Sequence, residues 1–221
     1  MTRIKICGVT LPDDAARIAS AGVDFIGLNF WPKSKRYLAP ERAPMIASVV
    51  RSTGSAKLVG VFVDPDLDEI QQITAAVDLD IIQLHGDEVP DFVERVARAL
   101  YRPVWKAVAV RSARDVEHLD VWPAEALLLD APVPGRGGAG TTFDWQLARD
   151  ARERFPRLNI VLAGGLAAAN VATAIQTVQP WAVDVASGVE AGPGIKDPAK
   201  LDAFMAAARL AGSPGSVVPK S

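Results

Sequence analysis

Cysteine and histidine are scarce in this chain, which contains one cysteine and two histidines in 221 residues. The single cysteine, Cys7, cannot form an intrachain disulfide. The histidines, His85 and His118, are far apart in the sequence, and no second cysteine accompanies them with the spacing of a zinc site. We therefore expect no bound metal, and any chemistry of Cys7 has to be that of a free thiol.

Long apolar runs and runs of basic residues are also absent. No apolar stretch reaches the length of a membrane span, and Met1–Arg3 lead into a strand without the apolar region of a signal peptide. The formal net charge is −2, and charges of both signs are interspersed, so no surface is expected to follow a nucleic-acid backbone or an anionic membrane. These absences predict a soluble, cytoplasmic protein that binds neither nucleic acid nor membrane.

The length and composition indicate a single domain. A chain of 221 residues with 49% hydrophobic residues can bury a sizeable core, and α/β barrels of this size are commonly one domain. The last residues are rich in glycine, serine and proline, a composition typical of disordered chain ends. We expect one domain over residues 1–211 and a disordered tail over residues 212–221. Whether the chain is a monomer or a homodimer stays open.

Apolar strands alternate with helical patterns eight times between residues 3 and 211. Several strands are nearly continuous apolar runs, as expected when helices cover the sheet. The predicted strands are Arg3–Cys7, Val23–Phe30, Lys57–Val63, Asp80–His85, Pro103–Val108, Glu125–Asp130, Asn159–Ala163 and Trp181–Ala186. The predicted helices are Pro12–Ala21 with Thr10 as its N-cap, Pro40–Arg51, Asp66–Ala76, Pro90–Leu100, Ala113–Leu119, Asp144–Phe155, Ala168–Val178 and Pro198–Ala211.

Eight such units predict an α/β fold, a single-domain (β/α)8 TIM barrel, rather than an open sheet. An open dinucleotide-binding sheet would favour a Gly-x-Gly-x-x-Gly turn after the first strand, and residues 7–12 do not supply one. In a barrel the functional loops follow the strands, so candidate residues are sought at the carboxyl ends of strands.

Cys7 ends the first strand and is the leading catalytic candidate. Side chains alternate along a strand, so Lys5 and Cys7 share a face, and Gly8 lets the chain turn directly after the thiol. A lone cysteine is more commonly a small buried apolar residue, and the other strand ends decide between these interpretations.

Asp130 ends the sixth strand and follows three leucines, Leu127–Leu129. Desolvation beside such an apolar wall favours the protonated carboxyl, which suits a general acid. The alternative is a carboxylate that caps the following loop. Asp184 in the eighth strand is interpreted as structural.

Two glycine turns after the last two strands indicate a phosphate site. Gly164 and Gly165 follow the seventh strand, and Ser187 and Gly188 follow the eighth. Backbone amides at such turns, together with a short extra helix, form the phosphate cradle of many barrels. Residues 131–142 form a long glycine-rich loop that would suit a lid, although a disordered connection has the same composition.

The loop after the second strand contains Arg36 beside two lysines. Such a run is commonly a solvated surface, but here it lies on the functional face of the barrel. A guanidinium can hold a carboxylate bidentately and stack on an aromatic ring, so Arg36 suits an aromatic acid. His85 follows the fourth strand and could contact ligand or cap the rim, and His118 is assigned to the surface.

Taken together, seven segments resemble the phosphoribosylanthranilate isomerase family of tryptophan biosynthesis, nearly along the whole barrel. They are Lys5–Thr10, Pro32–Tyr37, Gln83–Gly86, Leu129–Asp130, Gly137–Trp145, Ala163–Leu166 and Val183–Glu190. Ala139 and Ala186 stand where the family often has hydroxyl residues, which would alter side-chain contacts but not backbone amides.

The resemblance implies an Amadori rearrangement of N-(5-phosphoribosyl)anthranilate that uses no cofactor. It assigns Asp130 as general acid and Cys7 as general base. It also implies that Arg36 binds the anthranilate carboxylate or ring, and that the amides around Gly164, Gly165, Ser187 and Gly188 hold the phosphate. A thiolate base requires a nearby cation, for which Lys5 is the candidate.

Three alternatives remain at this point. An isomerase of histidine biosynthesis would use an aspartate pair, but the first strand ends in Cys7. An indole-glycerol-phosphate synthase-like or Schiff-base enzyme would need a catalytic lysine, for which Lys106 is the candidate. A phospho-ligand sensor on the same barrel would lack the acid or the base, and both Cys7 and Asp130 are present.

Overall fold

Eight parallel strands close into a barrel in the computed structural model, which describes residues 1–131 and 144–212. Each strand pairs with the next along the chain, and β8 pairs with β1. The strands are β1 (Arg3–Cys7), β2 (Phe25–Asn29), β3 (Lys57–Phe62), β4 (Ile81–Leu84), β5 (Val104–Ala109), β6 (Ala126–Asp130), β7 (Asn159–Leu162) and β8 (Ala182–Val185). The predicted (β/α)8 barrel is confirmed.

Seven α-helices lie in the described residues. They are α1 (Pro12–Ser20), α2 (Ala43–Thr53), α3 (Leu67–Val77), α4 (Pro90–Leu100), α5 (Trp145–Arg154), α6 (Val171–Val178) and α7 (Pro198–Gly212). A 3₁₀ turn at Pro40–Arg42 precedes α2, and another at Ser187–Val189 follows β8 and leads into a hairpin of β9 (Glu190–Gly192) and β10 (Ile195–Lys196). The 3₁₀ turn and the hairpin place extra chain at the carboxyl end of β8.

Two local predictions are wrong. Residues 113–119 form no α-helix but a 3₁₀ turn, Ala113–Val116, which is followed by a second at Leu119–Val121. Each turn buries one apolar side chain, Val116 at the end of the first and Leu119 at the start of the second. Thr10 does not cap α1, because its hydroxyl donates instead to the carbonyl oxygen of Gly194 at 2.6 Å.

Side chains that point into the barrel fill its amino-terminal end with aromatic rings. The rings of Phe25 and Trp105 meet edge to face at 4.9 Å, and Trp181 lies 5.6 Å from both. Outward-facing residues of the strands, such as Ile6 on β1 and Leu28 on β2, are fully buried under the helices. The floor of the barrel is therefore closed by apolar packing, and polar inward-facing residues lie above it.

No helix within residues 1–131 and 144–212 combines the length and the apolar character that crossing a membrane requires.

Candidate active site

The carboxyl end of the barrel carries the inward-facing polar residues. Above the aromatic floor, β1 contributes Lys5 and Cys7, and β8 contributes Asp184 opposite Lys5 in register. Lys5 is completely buried, and its Nζ lies 3.0 Å from Oδ1 of Asp184. Burial lowers the pKa of Lys5, but the charges of Asp184 and Cys7 together raise it by more. The net pKa of Lys5 therefore lies above its ordinary value. Asp184 thus holds Lys5 in place, in agreement with its structural assignment.

Cys7 lies beside a strand position without a side chain. Gly27 is its partner on β2, and a Cβ added there would stand 2.8 Å from Sγ of Cys7. The carbonyl oxygen of Gly27 accepts hydrogen bonds from the backbone nitrogens of Gly8 and Val9 at 2.9 and 3.1 Å. Gly8 has a φ of +70°, the left-handed region that favours glycine, so the chain turns directly after the thiol.

Burial is the largest influence on the pKa of the Cys7 thiol. Burial raises the pKa of Cys7, the charge of Lys5 lowers it, Asp184 raises it and Lys196 lowers it, and the net pKa remains above its ordinary value. The expectation that Lys5 lowers the pKa of Cys7 is right in direction, but the effect of burial is larger. Cys7 is half-buried, and the sequence pattern could not give this degree of burial.

Arg36 packs against the turn at Gly8 and is fixed by a carboxylate. Its Nε and Nη2 donate to Oε1 and Oε2 of Glu190 at 2.8 and 2.7 Å, a bidentate pair. Lys196 donates from Nζ to the same Oε1 at 2.9 Å and to the carbonyl oxygen of Cys7 at 2.6 Å. The hairpin after β8 therefore joins Arg36 to the end of β1.

A second group of polar contacts surrounds Asp130. Its Oδ1 accepts from the backbone nitrogen of Ala131 at 2.8 Å, and its Oδ2 lies 3.4 Å from Nε2 of His85. The other ring nitrogen of His85, Nδ1, lies 2.9 Å from Nε2 of Gln83. One oxygen of Asp130, Oδ1, thus accepts a hydrogen bond from the loop that follows, as the capping alternative expects. The other oxygen, Oδ2, faces His85.

The two glycine turns meet at the barrel mouth. Gly164 and Gly165 have φ of +85° and +63°, and a Cβ at Gly164 would stand 2.8 Å from Oδ1 of Asp130. Gly188 packs against the carbonyl of Leu166, so the turns after β7 and β8 touch. Asn170 donates to the carbonyl oxygen of Gly165 at 3.0 Å and fixes the first turn.

Lys106 faces away from the barrel interior. Its neighbour Trp105 points inward, so Lys106 points to the helix layer, where its Nζ lies 3.0 Å from Oε2 of Glu88 and 5.3 Å from the Trp122 ring. It is 2% exposed, and it also donates to the carbonyl oxygen of Gly86 at 2.8 Å. Lys106 is therefore a poor candidate for a Schiff-base lysine.

The structure thus places the predicted residues in two neighbourhoods. Cys7 and Arg36 share one, and Asp130, His85 and Gly164 share the other. His118 is exposed, as assigned. Apart from Ala131, the predicted lid lies outside the described residues, as does the predicted tail beyond Gly212. Within the described part of the chain, no group of His, Cys, Asp and Glu has the arrangement of a metal site.

Sequence reasoning missed three residues of these neighbourhoods. Glu190 and Gln83 fall inside the quoted segments but received no role, and Lys196 was not singled out. Gln83 could have been found, because period-2 alternation puts it on the face of His85. Nothing local indicates Glu190 or Lys196, whose partners lie 154 and 189 residues away.

Comparison with known proteins identifies the family. The family model for N-(5'-phosphoribosyl)anthranilate (PRA) isomerase matches residues 4–207. An N-(5'-phosphoribosyl)anthranilate isomerase of Syntrophus aciditrophicus is 43% identical over 95% of this chain and 88% of its own length. The crystal structure of monomers made from the dimeric phosphoribosylanthranilate isomerase of Thermotoga maritima has a TM-score of 0.83 at 40% identity, over 95% of this chain and all of that one.

A further phosphoribosylanthranilate isomerase structure contains reduced 1-(o-carboxyphenylamino)-1-deoxyribulose 5-phosphate. It has a TM-score of 0.82 and 37% identity, over 95% of this chain and all of its own. The match spans nearly the whole chain in sequence and in fold, and it includes every strand that carries a candidate residue. The chain belongs to the N-(5'-phosphoribosyl)anthranilate isomerase family.

Proposed function

We propose that the isomerisation of N-(5'-phosphoribosyl)anthranilate, the activity that family membership gives this chain in tryptophan biosynthesis, uses Asp130 as general acid and Cys7 as general base. The observation that carries this assignment is the position of both side chains at the open end of a barrel whose other end is closed by apolar packing. An acid and a base on different strands can act on opposite parts of one substrate.

The reaction needs one proton delivered and one removed. Asp130 gives its proton to the furanose ring oxygen as the bond from that oxygen to C1 breaks, which leaves an iminium at C1. The Cys7 thiolate then takes the proton from C2, and the electron pair of that C–H bond forms the enolamine. Loss of the C2 hydroxyl proton and gain of one at C1 yield the ketone, 1-(2-carboxyphenylamino)-1-deoxyribulose 5-phosphate. Oxidation at C2 balances reduction at C1, so the redox change is internal to the substrate.

The phosphate is assigned to the touching glycine turns. Backbone amides around Gly164, Gly165, Ser187 and Gly188 would bind its oxygens. Gly164 and Gly165 have left-handed φ, which leaves the amides of the first turn uncrowded, whereas Gly188 lies in the 3₁₀ turn Ser187–Val189. The support for this assignment is the packing of Gly188 on the first turn, which brings amides of two loops to one place.

The anthranilate end is assigned to Arg36. Glu190 accepts from Nε and Nη2 of Arg36, so a substrate carboxylate would approach through Nη1 or the face of the guanidinium. His85 is assigned to the substrate as well, from its place beside Asp130. Charges held at both ends would position C2 at the thiol.

We also propose a cytoplasmic enzyme that is a monomer or a homodimer. A relative from Thermotoga maritima is described as dimeric, which supports the second possibility. Sedimentation of the purified chain over a range of concentrations would decide between the two states.

The acid–base assignment is tested by turnover of freshly generated phosphoribosylanthranilate, followed by loss of its fluorescence. We expect kcat to fall about 10²- to 10⁴-fold in Cys7→Ser and in Asp130→Asn, because each variant loses one proton transfer. His118→Asn, at an exposed position, should turn over like wild type. Full activity of Cys7→Ser would remove the thiol from the mechanism.

A further inference from the structure

The carboxyl end of β1 is surrounded by charged side chains whose charges do not cancel. Lys5 is paired with one carboxylate, Asp184, at 3.0 Å. Glu190, in contrast, pairs with two cations, Arg36 at 2.7 Å and Lys196 at 2.9 Å. Three cations and two carboxylates therefore leave one positive charge uncompensated, and that charge belongs to the group around Glu190.

Charged residues further from Cys7 do not change this balance. Asp14 of α1 accepts a hydrogen bond from the backbone nitrogen of Lys196 at 2.9 Å. Lys200 of α7 donates to the carbonyl oxygen of Glu190 at 2.7 Å. Arg42 donates from Nη2 to the carbonyl oxygen of Thr10 at 3.3 Å, and Asp197 accepts from the backbone nitrogen of Lys200 at 3.0 Å. Two further charges of each sign leave the excess at one, and a thiolate at Cys7 would cancel it.

Of the two cations that pair with Glu190, Lys196 is the one that is hydrogen-bonded to Cys7. Its Nζ donates to the carbonyl oxygen of Cys7 at 2.6 Å, and it is 3% exposed. Its own backbone is fixed by Asp14, and the turn that precedes it is tied to Thr10. The ammonium is thus held in one place beside the end of β1, where water screens it little.

We propose that Lys196 is a positioning residue for Cys7, which fixes the cysteine through its carbonyl oxygen and supplies the positive charge that a thiolate at this position neutralises. This assignment rests on the proposed function, in which Cys7 is the base. It gives the thiolate a counter-charge that Lys5 supplies only in part, because Lys5 is already neutralised by Asp184.

The direction of the electrostatic effect agrees with the geometry. Burial raises the pKa of Cys7, and the charges of Lys5 and Lys196 both lower it, whereas Asp184 raises it. Burial lowers the pKa of Lys196, and although the charge and hydrogen bond of Glu190 oppose this, the net pKa of Lys196 lies below its ordinary value. Without the Lys196 charge, burial and Asp184 still raise the pKa of Cys7, and mainly Lys5 is left to lower it.

Because the chain has one cysteine, alkylation by iodoacetamide reports on Cys7 alone. The reactive species is the thiolate, so the rate as a function of pH gives its ionisation directly. We expect Lys196→Gln to be alkylated on the order of tenfold more slowly than wild type at pH 7, since one pKa unit is a tenfold change. Lys196→Arg keeps the charge and should recover most of the rate.

Two controls separate charge from loosened structure. Lys57→Gln removes an exposed lysine at the other end of the barrel and should match wild type. A hairpin loosened by substitution would expose the thiol and speed alkylation, which is the opposite of the expected slowing. Alkylation of Lys196→Gln at the wild-type rate or faster would overturn the proposal.

If Lys196→Gln does not fold, Glu190→Gln decides the question. It removes a negative charge from the same group, so the pH midpoint of alkylation should fall. The plateau rate at high pH, which reports access to the thiol, should stay at the wild-type value. A midpoint that is unchanged or higher would contradict the proposal, and a raised plateau would identify a loosened hairpin. Alkylation needs no substrate, so its outcome is independent of turnover. Full activity of Cys7→Ser would refute the assignment of the base and leave the ionisation result standing.

Discussion

At the scale of single residues, Gly27 determines how closely the thiol of Cys7 can approach β2. A methyl group at position 27 would stand 2.8 Å from Sγ and 3.1 Å from Cα of Cys7, closer than van der Waals contact allows. The thiol or the end of β1 would have to move. Small displacements of a catalytic group are costly, because the reacting atoms lose their alignment.

We therefore expect Gly27→Ala to lower kcat on the order of 10²-fold and stability by about 1–3 kcal/mol, the usual cost of overpacking. Steady-state kinetics and chemical denaturation would measure the two effects. Gly192→Ala is the matched control, because nothing lies within 4 Å of the position of its added Cβ. Wild-type kinetics in Gly27→Ala would show that the position of the thiol does not limit turnover.

At the scale of elements, alternation and helix signals were sufficient for most of the barrel. Residues 90–100 were predicted as a helix and form α4 with the same bounds, because a proline starts it and its apolar positions recur on one face. The segment after β5 departs from the predicted α-helix, because its chain leaves helical geometry at His118 and forms two short 3₁₀ turns. Alternation puts Lys106 and Trp105 on opposite faces of β5, but the sequence alone does not say which face is inward. It therefore leaves Lys106 as a catalytic candidate, which the structure directs outward.

Contacts between elements distant in sequence could not be predicted. The bidentate pair of Arg36 and Glu190 joins the loop after β2 to a hairpin after β8, and only barrel closure brings these together. A single sequence shows on which strand each residue lies, but it does not show how the side chains above the barrel floor are arranged. The candidate site was therefore predicted as a set of strand ends, and its network of charges was not.

The buried pair of Lys106 and Glu88 joins β5 to the loops that follow β3 and β4. Glu88 accepts from the backbone nitrogens of Asp64 and Gly86, and Lys106 donates to the carbonyl oxygen of Gly86, next to His85. Lys106→Met would leave the Glu88 carboxylate buried without its cation. We expect a loss of about 3–5 kcal/mol in unfolding free energy by chemical denaturation.

Turnover by Lys106→Met distinguishes this structural role from catalysis. If Lys106 is purely structural, kcat of the folded fraction should stay within about tenfold of the wild-type value. A tenfold change corresponds to about 1.4 kcal/mol in the activation barrier. A Schiff-base lysine would make kcat collapse instead. Lys57→Met controls for the loss of one lysine at an exposed position.

At the scale of the whole molecule, Glu190 links the first and last parts of the barrel. Burial raises its pKa, but hydrogen bonds from Arg36 and Lys196 and their charges lower it more, so the pKa of Glu190 lies below its usual value of 4.5. The unfolded chain therefore binds the proton more readily than the folded chain does. The stabilisation is fully present above the unfolded pKa and is lost as the pH falls through the folded one.

Glu190→Gln removes this stabilisation and leaves Arg36 and Lys196 without their shared carboxylate. We expect the unfolding free energy at pH 7 to fall by about 3 kcal/mol, in the range for a broken buried pair. The difference from wild type should shrink as the pH drops below about 4.5, because the unfolded wild-type chain then begins to bind the proton. It should vanish once the pH has fallen through the lower pKa of folded Glu190, where the protonated side chain resembles glutamine. Chemical denaturation at a series of pH values would measure it, with Glu153→Gln in an exposed helix pair as the control that changes little. A difference that stays constant from pH 7 to pH 3 would mean that Glu190 acts through packing, and that its charge does not hold the two ends of the barrel together.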